Sequence, residues 1–305
     1  MALISRRRFL KGVGGFGLAT VGLGSYAFGI EPGMRLDVTP YALTPPGWTN
    51  GLALRIAVIA DIHACEPFMS ASRIRAICEL ANSFNPDLTV LLGDFNGGHN
   101  FVTAPVVPEQ WGEAVSALQA PLGVYAILGN HDWWHGALPK FRSDDAESVR
   151  RALWHARIKL LENEAVQLVQ NGRPFWLMGL GDQISHRIRR GVFKGSDDLD
   201  GTLARLKDDA PAILLAHEPF IFERVPKRVG LTLCGHTHGG QINLPIIGSP
   251  FASQRFGASH VYGHVVEKDR HMIISAGLGT SIVPARFGRP PELVIVDVGS
   301  SALAS

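Results

Sequence analysis

The chain has 305 residues, of which 46% are hydrophobic and 18% charged, a balance that suits a buried core and excludes disordered and fibrous classes. A formal net charge of +2 supplies no basic field, which argues against a nucleic-acid scaffold. The three cysteines, Cys65, Cys78 and Cys234, show no CxxC spacing, and their odd number leaves at least one thiol free or paired outside the chain.

The N-terminus begins with the basic stretch Ser5-Arg6-Arg7-Arg8-Phe9-Leu10-Lys11, followed by an uncharged, Gly- and Ala-rich run from Gly12 to Ile30. A basic region ahead of an apolar one has the form of an export signal. Adjacent arginines before Phe-Leu-Lys resemble the bacterial twin-arginine signal, which implies the twin-arginine export machinery as a partner. The expected destination is across the inner membrane, in the periplasm or cell envelope. The apolar run is just long enough to span a bilayer, so membrane association through residues 9–30 is the minority reading. Ser25-Tyr26-Ala27 is a weak small-x-small cleavage site. Residues 1–30 are thus assigned to the signal, the Pro-rich residues 31–51 to an irregular linker, and residues 52–305 to one catalytic domain.

After the linker, Leu54 to Ala60 is a continuous apolar run that predicts a buried strand. Ser70 to Phe84 has helical spacing, with Ile74, Ile77, Leu80 and Ala81 on one face. Asp87 to Leu92 predicts a strand, Gln110 to Leu118 a helix and Val124 to Leu128 a third strand, an alternation that gives an α/β fold with largely parallel pairing. Ala165 to Gln170 and Pro174 to Leu180 flank Asn171-Gly172, a hairpin with a type I′ turn. Asp198 to Lys207 predicts a helix. Ala212 to Ala216, Leu231 to Cys234, Val261 to Glu267, His271 to Ser275 and Glu292 to Val298 predict further strands, and two packed mixed sheets with helices outside accommodate the order.

Polar residues at the strand ends carry the chemistry. The successive ends are Asp61-Ile62-His63, Gly93-Asp94, Gly129-Asn130-His131-Asp132, His217, and Gly235-His236-Thr237-His238-Gly239-Gly240. Loops at the carboxyl ends of strands converge on one crevice. Alternate residues of an extended segment point the same way, so Asp61 with His63, and His236 with His238, can reach one ion together. Mixed carboxylate and imidazole donors suit Mn, Fe or Zn better than Ca, and there are enough of them for two ions. Asp94 is the best bridging candidate, since a carboxylate has two oxygens to share.

Taken in order, Asp61-x-His63, Gly93-Asp94, Gly129-Asn130-His131-Asp132, His217 and Gly235-His236-Thr237-His238 resemble the motifs of the calcineurin-like metallophosphoesterase superfamily. The resemblance runs from about Arg55 to Val298. Gly277-Leu278-Gly279-Thr280 and Arg286-Phe287-Gly288-Arg289-Pro290-Pro291-Glu292 look like the C-terminal signature of its exported bacterial branch. The resemblance implies a four-layer α/β/β/α sandwich of two mixed sheets flanked by helices. It implies a first metal on Asp61, His63, Asp94 and His238, a second on Asp94, Asn130, His217 and His236, and a catalytic His131.

The expected activity is hydrolysis of phosphomonoesters or phosphodiesters outside the cytoplasm, using two divalent or trivalent ions (Mn, Fe or Zn) that lower the pKa of a bridging water. His131 would donate to the departing oxygen, Asp132 would orient His131 through its other ring nitrogen, and Arg286 and Arg289 are candidates to meet phosphate bidentately. Trp133 and Trp134 either stack on substrate or pack internally, and His99 and His135 could line the pocket. Cys65 is expected as a small buried residue. Ala64-Cys65 and Phe95-Asn96 depart from many relatives without removing a ligand, which bears on substrate preference only. The alternatives are a non-catalytic scaffold on the same fold, and a hydrolase of a nucleotide-linked lipid or phospholipid.

Overall fold

The structure, a computed structural model, describes residues 17, 20–97, 101–134, 146–189, 191–249 and 260–299. Twelve strands within them build two large sheets: β1 Asp37–Leu43, β2 Leu54–Ile59, β3 Leu88–Leu91, β4 Val124–Ala126, β5 Lys159–Leu160, β6 Glu164–Gln170, β7 Arg173–Gly179, β8 Ala212–Leu215, β9 Val229–Cys234, β10 Gly263–Glu267, β11 Arg270–Ile274 and β12 Glu292–Val298. The first sheet runs β1-β12-β2-β3-β4-β5 and the second β10-β11-β9-β8-β7-β6. β2, β3 and β4 are parallel, with Ile56 opposite Leu88 and Leu91 opposite Ala126. β7, β8 and β9 are parallel in the second sheet. All six therefore deliver their carboxyl ends in step within each sheet.

Three hydrophobic layers hold this arrangement. Ile56, Val58 and Val90 of the first sheet meet Leu177, Ile213, Leu215 and Leu233 of the second. The other face of the first sheet, with Ala57, Ile59 and Leu91, is covered by helices α1 Ala71–Ser83, α2 Pro108–Val115 and α3 Glu147–His155. The outer face of the second, with Trp176, Met178 and Leu214, is covered by α4 Leu199–Leu203 and a short turn of helix at Pro219–Glu223. The result is the expected α/β/β/α sandwich. Each fully buried aliphatic side chain contributes about 1.5–3 kcal/mol by leaving water.

Local chemistry explains most boundaries. The Ser70 side chain accepts from the Arg73 amide and starts α1, whose buried face carries Ile74, Ile77, Cys78 and Ala81. Asn171 and Gly172 both take positive φ, 50° and 77°, as a type I′ turn demands. Residues 31–51 are a correction. They contain β1, which pairs along its whole length with β12, from Asp37 opposite Glu292 to Leu43 opposite Val298. The prolines conceal this strand, because Pro40 is tolerated only where one side of the strand needs no partner, and β1 is the sheet edge. Glu31 is fully buried, and its carboxylate accepts from the amides of Gly288 (3.1 Å) and Arg289 (2.6 Å), so the segment is built into the body. The helix α3 and the hairpin His186–Arg189/Val192–Lys194 were also not signalled by periodicity. Of residues 1–30, those before Thr20 other than Gly17 lie outside the described residues. Among the described residues, no helix is long and apolar enough to cross a membrane.

Candidate metal centre

The loops after β2, β3, β4, β8 and β9 close on one point. The Asp61 amide donates to Gly93 O at 3.1 Å and the His63 amide to Asp94 O at 2.9 Å, which ties the first two loops together. The His236 amide donates to both oxygens of Asp61, at 2.9 and 3.1 Å, and the His131 amide donates to Asp94 Oδ1 at 2.8 Å. Asp61, His63, Asp94, Asn130, His217 and His238 are buried, and His236 is half-buried.

The backbone is strained there. Asp61, His63, Asp94, His236 and His238 have φ of 51°, 45°, 56°, 69° and 53°, in the left-handed region that ordinary residues avoid. Glycine makes room for this crowding: a Cβ on Gly129 would lie 2.4 Å from Asp94 Oδ1, and one on Gly277 would lie 2.6 Å from the Asp61 Cβ.

The tautomers follow from the hydrogen bonds. His63 Nδ1 lies 3.0 Å from Asn96 O and His217 Nδ1 lies 2.6 Å from Leu92 O. A carbonyl only accepts, so both Nδ1 atoms carry hydrogen, and the Nε2 atoms are the ones that would meet a metal ion. Both Nε2 atoms face Asp94 Oδ2, each at 3.3 Å, and His63 Nε2 also lies 3.1 Å from His238 Nε2. Burial lowers the two imidazoles facing Asp94, but Asp94 outweighs it and raises them. His238 Nε2 is 3.6 Å from Asp61 Oδ1. The buried Asn130 Oδ1 accepts no hydrogen bond. In the metal-free chain protons on the imidazoles offset the buried Asp94 charge, and a cation among the same atoms would take their place. Asp61, His63, Asp94 and His238 form one group able to hold an ion, and Asp94, His217 and His236 form another. These residues fit a metal centre.

Electrostatics agree with that crowding. Burial pushes the Asp61 carboxyl up to about 6, against the pull of His217. Burial would also raise Asp94, but His217, His131 and His63 outweigh it and hold Asp94 well below the usual carboxylate range. Burial lowers His238, assisted by His63 and Arg286, and keeps it neutral.

Three expected roles need correction. Asp132 does not orient His131: its Oδ1 accepts from the amides of Phe95 (2.9 Å) and Asn96 (3.4 Å), and its Oδ2 from those of Asp94 and Gly129 (2.9 Å each). It fixes the loop that presents Asp94. Arg286 does not face a phosphate, being completely buried. Its guanidinium donates to the carbonyls of Ala276, Gly277, Gly279 and Arg289, and burial lowers it to about 10. Arg289 donates to Gly239 O at 3.1 Å and lies 3.7 Å over the Tyr262 ring, so it braces the His236–His238 loop.

His131 sits at the mouth, 4.8 Å from the His63 ring, with Nε2 3.3 Å from the Ser281 hydroxyl. Trp134 stacks on Phe193 at 5.2 Å, and Trp133 meets His186 edge-on at 5.0 Å, so both pack internally. Cys65 is a buried thiol raised to about 11 by burial. His99 and His135 lie outside the described residues. Sequence reasoning missed Asp182 and Glu218, buried carboxyls that form a further donor group with His217. An acidic residue following directly on a strand-end histidine was the available signal for Glu218.

A four-layer sandwich with imidazoles and carboxylates massed at its strand ends defines the metallophosphoesterase class, hydrolases of phosphoric ester bonds. The chain belongs to the calcineurin-like phosphoesterase family, whose model matches residues 54–266. It is 30% identical to the uncharacterized metallophosphoesterase YkuE of Bacillus subtilis (strain 168), over 99% of this chain and all (100%) of that one. It is 29% identical to the phosphodiesterase YaeI of Escherichia coli (strain K12), over 97% of this chain and 100% of that one. It is 24% identical to the UDP-2,3-diacylglucosamine pyrophosphatase LpxG of Chlamydia trachomatis, over 80% and 83%. Among solved structures it is similar in fold to the NAD nucleotidase NadN of Haemophilus influenzae, with TM-score 0.50 and 16% identity, covering 75% of this chain and 46% of that one.

Proposed function

We propose that the chain hydrolyses phosphodiesters or phosphomonoesters outside the cytoplasm with two metal ions of the Mn, Fe or Zn type. The observation that carries the metal pair is the convergence of the His63 and His217 Nε2 atoms on one Asp94 oxygen beside the unsatisfied Asn130 oxygen. Asp61, His63, Asp94 and His238 would hold one ion, and Asp94, Asn130, His217 and His236 the other. When bound, such a pair supplies a nucleophilic water of lowered pKa and offsets the charge that builds on phosphorus. Asp132 holds the Asp94 loop rigid for this task. His131, fixed through its amide to Asp94 and facing the mouth, donates a proton to the departing oxygen. The end-to-end relative named as a phosphodiesterase supports diesters as the first class to assay. Export rests on Arg6-Arg7-Arg8-Phe9-Leu10-Lys11 and the apolar run behind it.

Elemental analysis of the purified full chain, paired with chromogenic mono- and diesters under Mn, Zn, Fe and Mg, tests this. About two transition-metal ions per chain, with turnover abolished by chelation, is the expected result. No bound metal after reconstitution, together with no hydrolysis of either ester, would sink the proposal.

A further inference from the structure

The loops that follow the His236–His238 turn and Ser281 carry isoleucine at exposed positions. Here Ile246 and Ile282 are 108% and 71% exposed. Both take positive φ, 73° and 66°, a region in which β-branched residues are outliers. Ile247 and Val283 beside them are exposed too. Internal packing is therefore no reason for these four side chains.

Their loops are fixed to one another and to the site. Gln241 Nε2 donates to the carbonyls of Val283 (3.2 Å) and Ala285 (3.1 Å), and the Asn243 amide donates to Phe287 O at 2.7 Å. Ser281, next to Ile282, is the residue that touches His131. The N-terminal segment docks on the same loop, where the Arg286 amide donates to Ala27 O at 2.9 Å and Tyr26 meets Phe287 edge-on at 6.0 Å. Val21 and Leu23, a few residues before that contact, are exposed. Trp134, whose ring lies 5.6 Å from that of His131, stacks on Phe193 of the hairpin His186–Arg189/Val192–Lys194. That hairpin exposes Ile188 and Val192 among Arg187, Arg189 and Lys194.

We propose that the mouth of the site docks on a bilayer bearing anionic headgroups, and that the substrate is a phosphoester presented at that surface. Apolar tips enter the headgroup boundary and the basic hairpin meets the anionic charge. A bilayer is favoured over a protein partner because exposed Arg187, Arg189 and Lys194 stand among the exposed apolar Ile188 and Val192, a pairing of basic and apolar side chains that anionic headgroups would meet. The inference rests on the phosphoesterase reading above. In the reaction a water oxygen bonds to phosphorus, the bond from phosphorus to the lipid-side oxygen breaks, and a proton passes to that oxygen.

The full chain is compared with the double variant Ile246→Ser/Ile282→Ser on two esters. One is the soluble bis(nitrophenyl) phosphate, and the other is the same chromogenic diester carried on an acyl chain in phosphatidylcholine vesicles with or without phosphatidylglycerol. Turnover of the soluble ester is expected to stay within about twofold, while turnover of the vesicle-borne ester falls on the order of tenfold or more. Added salt should depress wild-type turnover on anionic vesicles more than on neutral ones. Equal loss on both esters, or no loss on either, overturns the docking surface. A wild-type chain that binds no metal and is inert on soluble mono- and diesters and on the vesicle-borne ester overturns the phosphoesterase reading itself, and this inference with it. Because Cys65, Cys78 and Cys234 are buried, a polarity-sensitive dye can be attached at Ile282→Cys or at Val169→Cys. Val169 pairs with Pro174, at the end of the second sheet away from the site. Vesicles should shift the emission of the first dye and not the second, and the proposal fails if neither moves.

Discussion

His131 and Arg286 separate two kinds of functional-looking residue. His131 stands at the mouth with its ring toward His63 and Ser281, while its amide, not its ring, bonds to Asp94. Replacing it with alanine should lower kcat by roughly 10²–10⁴ and leave bound metal unchanged, because the metal-facing atoms belong to other side chains. Metal lost along with turnover would instead make the imidazole a ligand. Arg286 should behave the other way. Removing its guanidinium orphans several buried carbonyls at about 1–3 kcal/mol each. Arg286→Ala should therefore reduce unfolding free energy by at least about 3 kcal/mol in a denaturant titration. A variant of unchanged stability whose KM alone rises would restore the phosphate-binding role. The motifs named both residues; only burial told them apart, since a guanidinium that contacts substrate and one that braces a loop look alike in sequence.

Among the elements, the turn from Gly129 to Trp133 matters most. Asp132 gathers amides from two loops, and burial lifts its carboxyl to about 7. Asparagine has the same shape but replaces one accepting oxygen with a donor that opposes these amides. Asp132→Asn should weaken metal affinity roughly 10–100-fold through the displaced Asp94 loop, as loss of a ligand's supporting partner does. Metal titration of the variant measures this, and unchanged affinity would remove the positioning role. The strands before each motif were legible because buried parallel strands are continuous apolar runs of the right length. β1 was not, since an edge strand with a proline lacks that signature, and α3 was not, because its exposed face is heavily charged and its apolar face narrow.

Over the whole molecule, the site sets the dependence of stability on pH. Asp61 and Asp132 have folded values of about 6 and 7, above the ordinary carboxylate range, so the fold favours their protonated forms. Their contribution is present at low pH and is lost as pH rises through those values. Asp94 opposes this only at strongly acid pH, because its depressed carboxyl stays ionised through the window. The chelated chain should therefore lose stability between about pH 5 and pH 7.5. Metal competes with protons for the same oxygens and nitrogens, so the loaded chain should gain stability over that range. Denaturation midpoints in chelator and in Mn at both pH values check this, and parallel slopes would contradict a site shared by metal and protons.

The sequence by itself determined the α/β order, the strand boundaries before each motif and the identity of the donors gathered around Asp94. It could do so because a buried strand and a glycine-flanked ligand are local patterns, written within a few residues. Which imidazoles face Asp94, which arginine is buried and which loops present isoleucine to solvent were decided only by the tertiary structure. Those are relations between segments far apart in sequence: His63 and His217 meet on Asp94, Arg286 serves carbonyls from Ala276 to Arg289, and Glu31 is buried under Gly288. Burial and hydrogen-bond demand arise from how the layers close, and a linear pattern does not contain them.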